Sequence, residues 1–367
     1  VAVITPSRRV RSTPFTPGVE AAGVKAYTVY NHMLLPSRFT TFEEDCTHLK
    51  NHVQVWDVAC ERQVALEGPD ARRLLQLLTP RDLTKLSLGR CMYVPVVDQN
   101  GGMLNDPVAL QIDKDTYWIS IADSDLILWV KAVALANELN VKIYEPDVSP
   151  LGVQGPKAED LMARVFGEAV RDIGFYSCAR FGFEDTVFTV ARSGYSKQGG
   201  FEIYVEGHEY GMPLWETLFD AGEDLQVRAG CPNLIERIES GLLSYGNDMT
   251  AENTPLECGL GRFVSQNQLE HCYGGQALAE EIAAGGPIQQ IRAFAIEGEI
   301  PPCVQAWPIY AAGQYVGQVT SAINSPDFQT NVAIGMVAQS HWNDGTAVEV
   351  ETDDGMRPAM VREKFWN

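Results

Sequence analysis

Glu202 and Tyr204 stand two residues apart in Gly200-Phe-Glu-Ile-Tyr-Val205, an alternating run that reads as a β-strand. On such a strand they share one face, while Phe201 and Ile203 take the other. The run follows Arg192-Ser-Gly-Tyr-Ser-Lys-Gln-Gly199, where Gly194, Gly199 and Gly200 let backbone come close to a ligand or to another strand. An acid and a phenol beside such a turn could line a pocket. Judged on pattern alone, the commoner arrangement is a half-buried antiparallel strand with its polar face in water.

Two further charged residues have chemical potential. Asp106 precedes Pro107, which holds it extended and would aim its side chain from a strand start; a turn-capping Asp is the ordinary alternative. Arg237 falls in a helix expected from Pro232 to Tyr245, whose Leu234, Ile235, Ile238, Leu242 and Leu243 share a face. Arg237 then points away from the middle of that stripe, to solvent or into a cleft, and Gly246 is placed to end the helix. Other patterns do not complete. His48 and His52 are one helical turn apart but lack the glutamate of a zinc-protease motif, so a surface helix is expected and no metal. Gly259-Leu-Gly261 lacks the third glycine of a dinucleotide loop, and Gly194-Tyr-Ser196 is not a nucleophile elbow.

These residues must be held by elements the sequence also punctuates. Val64–Leu75 echoes Leu151–Met162, each reading as a strand, a Gly-Pro corner and a helix. Pro69 and Pro156 suit a first helical position, where the missing N–H costs nothing. Two such units suggest two domains of related build, each an antiparallel sheet with helices on one face. Met92–Val97, Pro107–Ile112 and Tyr117–Ile121 read as strands, with Asp98-Gln-Asn-Gly-Gly102 as a hairpin turn between the first two. Asp123-Ser-Asp125 offers a cap to a helix running to about residue 138. After about residue 285 the pattern is all-β, with strands at 291–296, 314–321, 332–337 and 346–351, and reads as a small barrel or sandwich.

The chain has 367 residues, 45% hydrophobic and 21% charged, with a formal net charge of -20. That length suits two or three domains, and the acidity argues against nucleic acid and anionic membranes as partners. Eight cysteines without C-x-x-C spacing suit reduced thiols and a cytoplasmic location. The opening Val1-Ala-Val-Ile4 lacks a signal-peptide pattern, and no apolar run approaches the roughly 20 residues of a membrane span.

Several segments resemble one family in order along nearly the whole chain. They are Val55-Trp-Asp-Val-Ala59, Thr79-Pro-Arg-Asp-Leu83, Gly101-Gly-Met-Leu-Asn-Asp106, Arg192–Glu202, Arg237–Gly246, Asn253–Leu260, Val316–Ser321 and Asn331–Gly335. The family is the folate-dependent aminomethyltransferases, typified by the glycine-cleavage T-protein. Within it, Tyr27-Thr-Val-Tyr-Asn-His-Met-Leu-Leu-Pro36, His52–Arg62, Ser196–Gly200 and Gly230–Arg237 resemble the branch of dimethylsulfoniopropionate demethylases. Where that branch is expected to carry Trp, this chain has Tyr195, as the T-proteins do.

The resemblance implies an α+β, three-domain T-protein-like fold: two related antiparallel-sheet and helix domains plus a C-terminal β-barrel-like domain. It places a discontinuous central domain at 1–51 and 148–275, a second at 52–147 and the third at 285–367. It implies tetrahydrofolate as methyl acceptor, with Glu202 receiving hydrogen bonds from the pterin and Tyr93 packing on its ring. Arg237 would meet the tail carboxylates and Asp106 would sit close to the reacting nitrogen as the catalytic residue. Tyr30, Tyr195 and Tyr204 are the candidates to face an onium methyl donor, by cation–π contact. The expected partners are this small-molecule donor and folate, with a homodimer left open. The alternatives are an amine donor such as glycine betaine or dimethylglycine, and a folate-binding protein without turnover.

Overall fold

The computed structural model describes Ile4 and residues 7–367. The reading of the chain's start rests mainly on Val1–Val3, which lie outside the described residues. The chain divides into two compact units.

The first unit comprises Val1–Leu74, Thr84–Tyr93 and Pro107–Asn233. Its larger sheet has six strands, in the order Cys178–Phe183, Thr186–Ala191, Gly200–Glu206, Val148–Gln154, Gln54–Asp57 and Arg228–Gly230. All neighbours are antiparallel except the last pair. Gln54–Asp57 lies beyond the boundary expected at 51/52, yet its pairing with Val148–Gln154 puts it in this sheet. A five-stranded antiparallel sheet follows the order Lys142–Tyr144, Gln63–Glu67, Thr116–Ser120, Val108–Asp113 and Cys91–Tyr93.

The internal echo is a structural repeat. Gln63–Glu67 leads through Gly68 and Pro69 to the helix Ala71–Leu77, and Val148–Gln154 leads through Gly155 and Pro156 to Ala158–Phe166. Both corner glycines have positive φ, +144° and +119°. A Cβ at either would strike backbone, 2.6 Å from the Asn140 carbonyl oxygen or 2.3 Å from that of His52. Each corner therefore needs glycine for conformation and for space.

The strand Gly200–Glu206 is buried on both faces, which corrects the expectation of a wet polar face. Phe201, Ile203 and Val205 enter a core shared with Leu161, Met162 and Leu214. On the other face Tyr204 joins Val148, Cys178 and Ala191, which meet Ala65, Leu110 and Trp118 of the five-stranded sheet. Sheet packs on sheet there, and that layer replaces the solvent.

The second unit comprises Leu75–Leu83, Val94–Asp106 and Leu234–Asn367. Six strands form a closed barrel, in the order Gln289–Ile296, Thr330–Ala338, Gln314–Ser325, Trp307–Ala311, Ala347–Thr352 and Gly355–Arg362. The expected barrel is present, with Trp307–Ala311 and Gly355–Arg362 as strands the pattern did not mark. The helix expected over Pro232–Tyr245 is shorter, Leu234–Ser240. Gly241 stops it at φ +66°, and a Cβ there would lie 2.4 Å from the Phe365 ring. Ile238 packs that helix onto Ile291, Val332, Ile334 and Met336 of the barrel wall. The strand expected over Met92–Val97 is likewise broken, at Val94-Pro95, into Cys91–Tyr93 and Val96–Val97. Proline cannot continue a hydrogen-bonded ladder. Val96–Val97 pairs with Met103–Asn105 around the expected turn, closed by Asp98 N–H donating to Gly102 O at 2.8 Å. Among the described residues no helix is long and apolar enough to cross a membrane.

Candidate functional site

Five of the sequence-marked residues lie in the first unit: Tyr30, Tyr93, Tyr195, Glu202 and Tyr204. Asp106 and Arg237 lie in the second.

Glu202 is 7% exposed. Its neighbours across the sheet are Gly152 and Ala191, so no large side chain flanks the carboxyl along that row. Burial raises its pKa, partly offset by hydrogen bonding from Ser193 and from the Tyr204 side. The Ser193 hydroxyl donates to Glu202 Oε2 in a very short contact. Glu202 also helps raise the buried Cys91 thiol, after burial itself and Cys178, so the strand Cys91–Tyr93 approaches it closely. Tyr93 ends that strand, half-buried and paired with Val108.

Tyr204 is 0% exposed, with its ring 6.1 Å from that of Trp118. A ring with no exposed surface offers no face to an onium centre, so Tyr204 is a core residue, not a donor contact. Its hydroxyl is buried beside the Glu202 carboxyl and Ser120. Burial and the Glu202 charge hold it well above the usual phenol range.

Tyr195 is half-buried against Leu49, Trp56 and Val58. Leu35 packs on the same cluster from the strand Met33–Arg38, whose hairpin partner Ala26–Tyr30 ends at Tyr30. The hairpin turns on Asn31 and His32, both at positive φ (49° and 60°), the conformation of a two-residue hairpin loop. Asn31 pins that turn: its amide nitrogen donates to the carbonyls of Cys60 and Ala122, and its backbone N–H to Asp123 Oδ1 at 2.7 Å. The sequence marked the run containing Asn31 but not this clasp.

Arg192 is structural. It donates to Glu159 Oε2 at 2.6 Å and to the Ile173 carbonyl, with its guanidinium over the Phe201 ring. His48 is buried, contrary to the surface helix expected. It hydrogen-bonds the Gln226 carbonyl at 2.9 Å, and burial lowers it to about 4. Among the described residues no cluster of His, Cys, Asp and Glu could hold a metal.

In the second unit Arg237 is 8% exposed, so of the two directions expected for it, solvent or a cleft, it does not take solvent. It donates to Asp248 Oδ2 at 2.8 Å, Ser321 Oγ at 2.6 Å and the Leu242 carbonyl. Asp248 also accepts from Thr320, Ser321 and the Ser244 N–H. This network ties the short helix to the barrel strand Gln314–Ser325. Asp106 is half-buried at the end of Met103–Asn105. That strand is clasped by Tyr245 Oη donating to Met103 O and by Met103 N–H donating to Asn253 O. Burial raises the Cys258 thiol, and Glu257, Asp106 and Asp248 add to it, so Asp106 and the partner of Arg237 share one neighbourhood.

The match to known proteins follows this architecture. Residues 15–268 match the GCVT N-terminal domain and residues 289–366 the glycine cleavage T-protein C-terminal barrel domain. The chain is 65% identical over 366 residues to the dimethylsulfoniopropionate demethylase of Ruegeria pomeroyi, covering 100% of both chains. It is 26% identical over 324 residues to an aminomethyltransferase of Bacillus cytotoxicus, covering 86% of this chain and 87% of that one. The structure of aminomethyltransferase T from Bartonella henselae superposes with a TM-score of 0.87 at 23% identity, over 97% of this chain and 98% of that one. The N-terminal α+β region and the C-terminal barrel are thus those of the T-protein fold, and the chain belongs to the glycine cleavage T-protein family.

Proposed function

We propose that this protein is a tetrahydrofolate-dependent demethylase that converts dimethylsulfoniopropionate to 3-methylthiopropionate, with 5-methyltetrahydrofolate as the second product. The observation that carries this reading is the 65% identity, end to end, with the Ruegeria pomeroyi demethylase.

The chemistry is direct displacement. One nitrogen–carbon bond forms at the folate, one carbon–sulfur bond breaks with its electrons passing to sulfur, and the nitrogen's proton is released. The thioether leaves neutral, so no general acid is required. The protein must align two substrates and exclude water, effects that lower barriers by several kcal/mol in general.

The roles divide as follows. Glu202, buried and steadied by Ser193, accepts hydrogen bonds from the pterin's amino and imino donors. Tyr93 packs on that ring. Asp106 acts at the reacting nitrogen and takes up its proton. Tyr30 and Tyr195 face the sulfonium. Arg237 serves folate through the network that holds Asp248, because its guanidinium is already committed there. The eight cysteines, none in C-x-x-C spacing, suit a reducing cytoplasm. Whether the chain pairs as a homodimer is read from its mass in solution; the helix Leu126–Ala136 presents Leu128 and Leu135, 65% and 81% exposed.

The test is incubation with tetrahydrofolate and, separately, dimethylsulfoniopropionate, glycine betaine and dimethylglycine, with mass detection of 5-methyltetrahydrofolate. Product with the sulfonium donor alone is expected; product only with an amine would overturn the assignment.

A further inference from the structure

Gln154 ends the strand Val148–Gln154 and is 1% exposed. A polar amide at that depth must find partners, and the Gln154 side chain hydrogen-bonds three residues of one segment, Ser193, Ser196 and Phe201. Its amide nitrogen donates to Ser193 O at 3.1 Å and to Phe201 O at 3.2 Å. Its oxygen accepts from Ser196 Oγ at 2.8 Å. These partners span the loop that leaves the sheet after Ala191 and re-enters it at Gly200. Gly194 lies directly against this side chain, and Gly200 lies against it and the Val153 carbonyl. A Cβ at Gly194 would lie 2.1 Å from Gln154 Nε2, and one at Gly200 would lie 2.7 Å from the same atom. The loop is therefore anchored to the Gln154 amide at its start, middle and end.

Two residues of the proposed site depend on that loop. Ser193, at its start, donates to the Glu202 carboxylate. Tyr195, near its middle, packs on Trp56 and its neighbours. Glu202 follows immediately on Phe201, whose carbonyl Gln154 also holds.

We propose that Gln154 is a positioning residue that sets the folate-binding end and the methyl-donor end of the site together, through the loop 193–201. The inference rests on the roles given above to Glu202 and Tyr195. It divides the loop's contacts by substrate: the Ser193 bond serves folate, and the Ser196 bond serves the donor.

Three single variants test it. Ser193→Ala should weaken tetrahydrofolate binding by about tenfold, the scale of one charge-assisted hydrogen bond, with the Michaelis constant for dimethylsulfoniopropionate unchanged. Ser196→Ala should raise that Michaelis constant and leave folate binding unchanged. Gln154→Leu should do both. Amide hydrogen exchange supplies a readout that needs no substrate. In Gln154→Leu the peptide 193–201 should lose protection while the strands Thr186–Ala191 and Val148–Gln154 keep theirs. Gln154→Met, closer in shape, takes its place if the leucine variant does not fold. Unchanged exchange at 193–201 would overturn the proposal, as would Ser193→Ala and Ser196→Ala shifting both constants in parallel. If the wild type turned over no sulfonium at all, the reaction assigned above would fail, while the exchange result would still decide the role of Gln154 in the loop.

Discussion

Arg237 and Asp248 form a buried ion pair at 2.8 Å, the carboxylate fully enclosed and the guanidinium nearly so. Removing one partner of such a pair leaves an uncompensated buried charge, at a typical cost of about 3–5 kcal/mol. Arg237→Ala is therefore expected to lower the midpoint of denaturant unfolding sharply, and to weaken tetrahydrofolate binding as the network loosens. Equilibrium unfolding beside calorimetric folate titration checks both. A variant as stable as wild type would show that Asp248 does not need its partner. Unchanged folate binding would remove Arg237 from the site.

Asp106 should matter more for turnover than for binding. Asp106→Asn keeps the shape and removes the charge, so kcat is expected to fall while the tetrahydrofolate dissociation constant stays close to wild type. Steady-state kinetics and calorimetry on the same preparation make the comparison. Full activity would reduce Asp106 to a structural end-cap of Met103–Asn105.

Tyr195 is half-buried, with one side on the cluster of Leu49, Trp56 and Val58. Tyr195→Trp is expected to keep or improve handling of dimethylsulfoniopropionate, because indole is the better cation–π partner. Tyr195→Ala should raise the Michaelis constant for the donor far more than it harms folate binding. If the ring instead only fills space, the Trp variant should lose about 1–3 kcal/mol of stability by overpacking, and the Ala variant should keep normal donor affinity. Thermal melts with kinetics on both variants separate the outcomes.

How far the sequence carried depends on whether a signal was local. The two Gly-Pro corners were legible because positive-φ glycine and first-turn proline are written in adjacent residues. The barrel was legible because its alternation is local too. The surroundings of Glu202 and Tyr204 were not. Their shared face was readable from spacing, but its burial comes from Ala65, Leu110 and Trp118, distant in sequence and on another sheet. The surroundings of Arg237 were hidden for the same reason, since its partners Asp248 and Ser321 come from a later turn and a barrel strand. Gln154 carried one faint mark, a polar residue closing a mostly apolar strand.

Asp57 should make stability fall with rising pH. Burial lifts its carboxyl to about 7, against lowering hydrogen bonds from Thr13 and the Ala59 N–H. A raised folded-state pKa means the folded chain holds the proton longer than the unfolded chain. Its stabilising effect is complete below the ordinary Asp value, and is lost as pH rises from about 4 through about 7. His48, lowered by burial to about 4, acts oppositely: it favours the fold above about 6.5 and loses that effect as pH falls. The two partly cancel in the acid range, so the comparison is wild type against Asp57→Asn. Unfolding free energies at pH 5 and pH 8 should show a smaller decline in the variant. An equal decline in both would clear Asp57 of any part in it.

The most direct measurement of the central claim uses dimethylsulfoniopropionate with fully deuterated S-methyl groups, incubated with the protein and tetrahydrofolate. Direct displacement moves the methyl group whole, so 5-methyltetrahydrofolate should appear with all its methyl deuterium retained, in equal amount to labelled 3-methylthiopropionate. Methyl product that has lost deuterium, or thioether formed without methylated folate, would contradict the mechanism proposed for this chain.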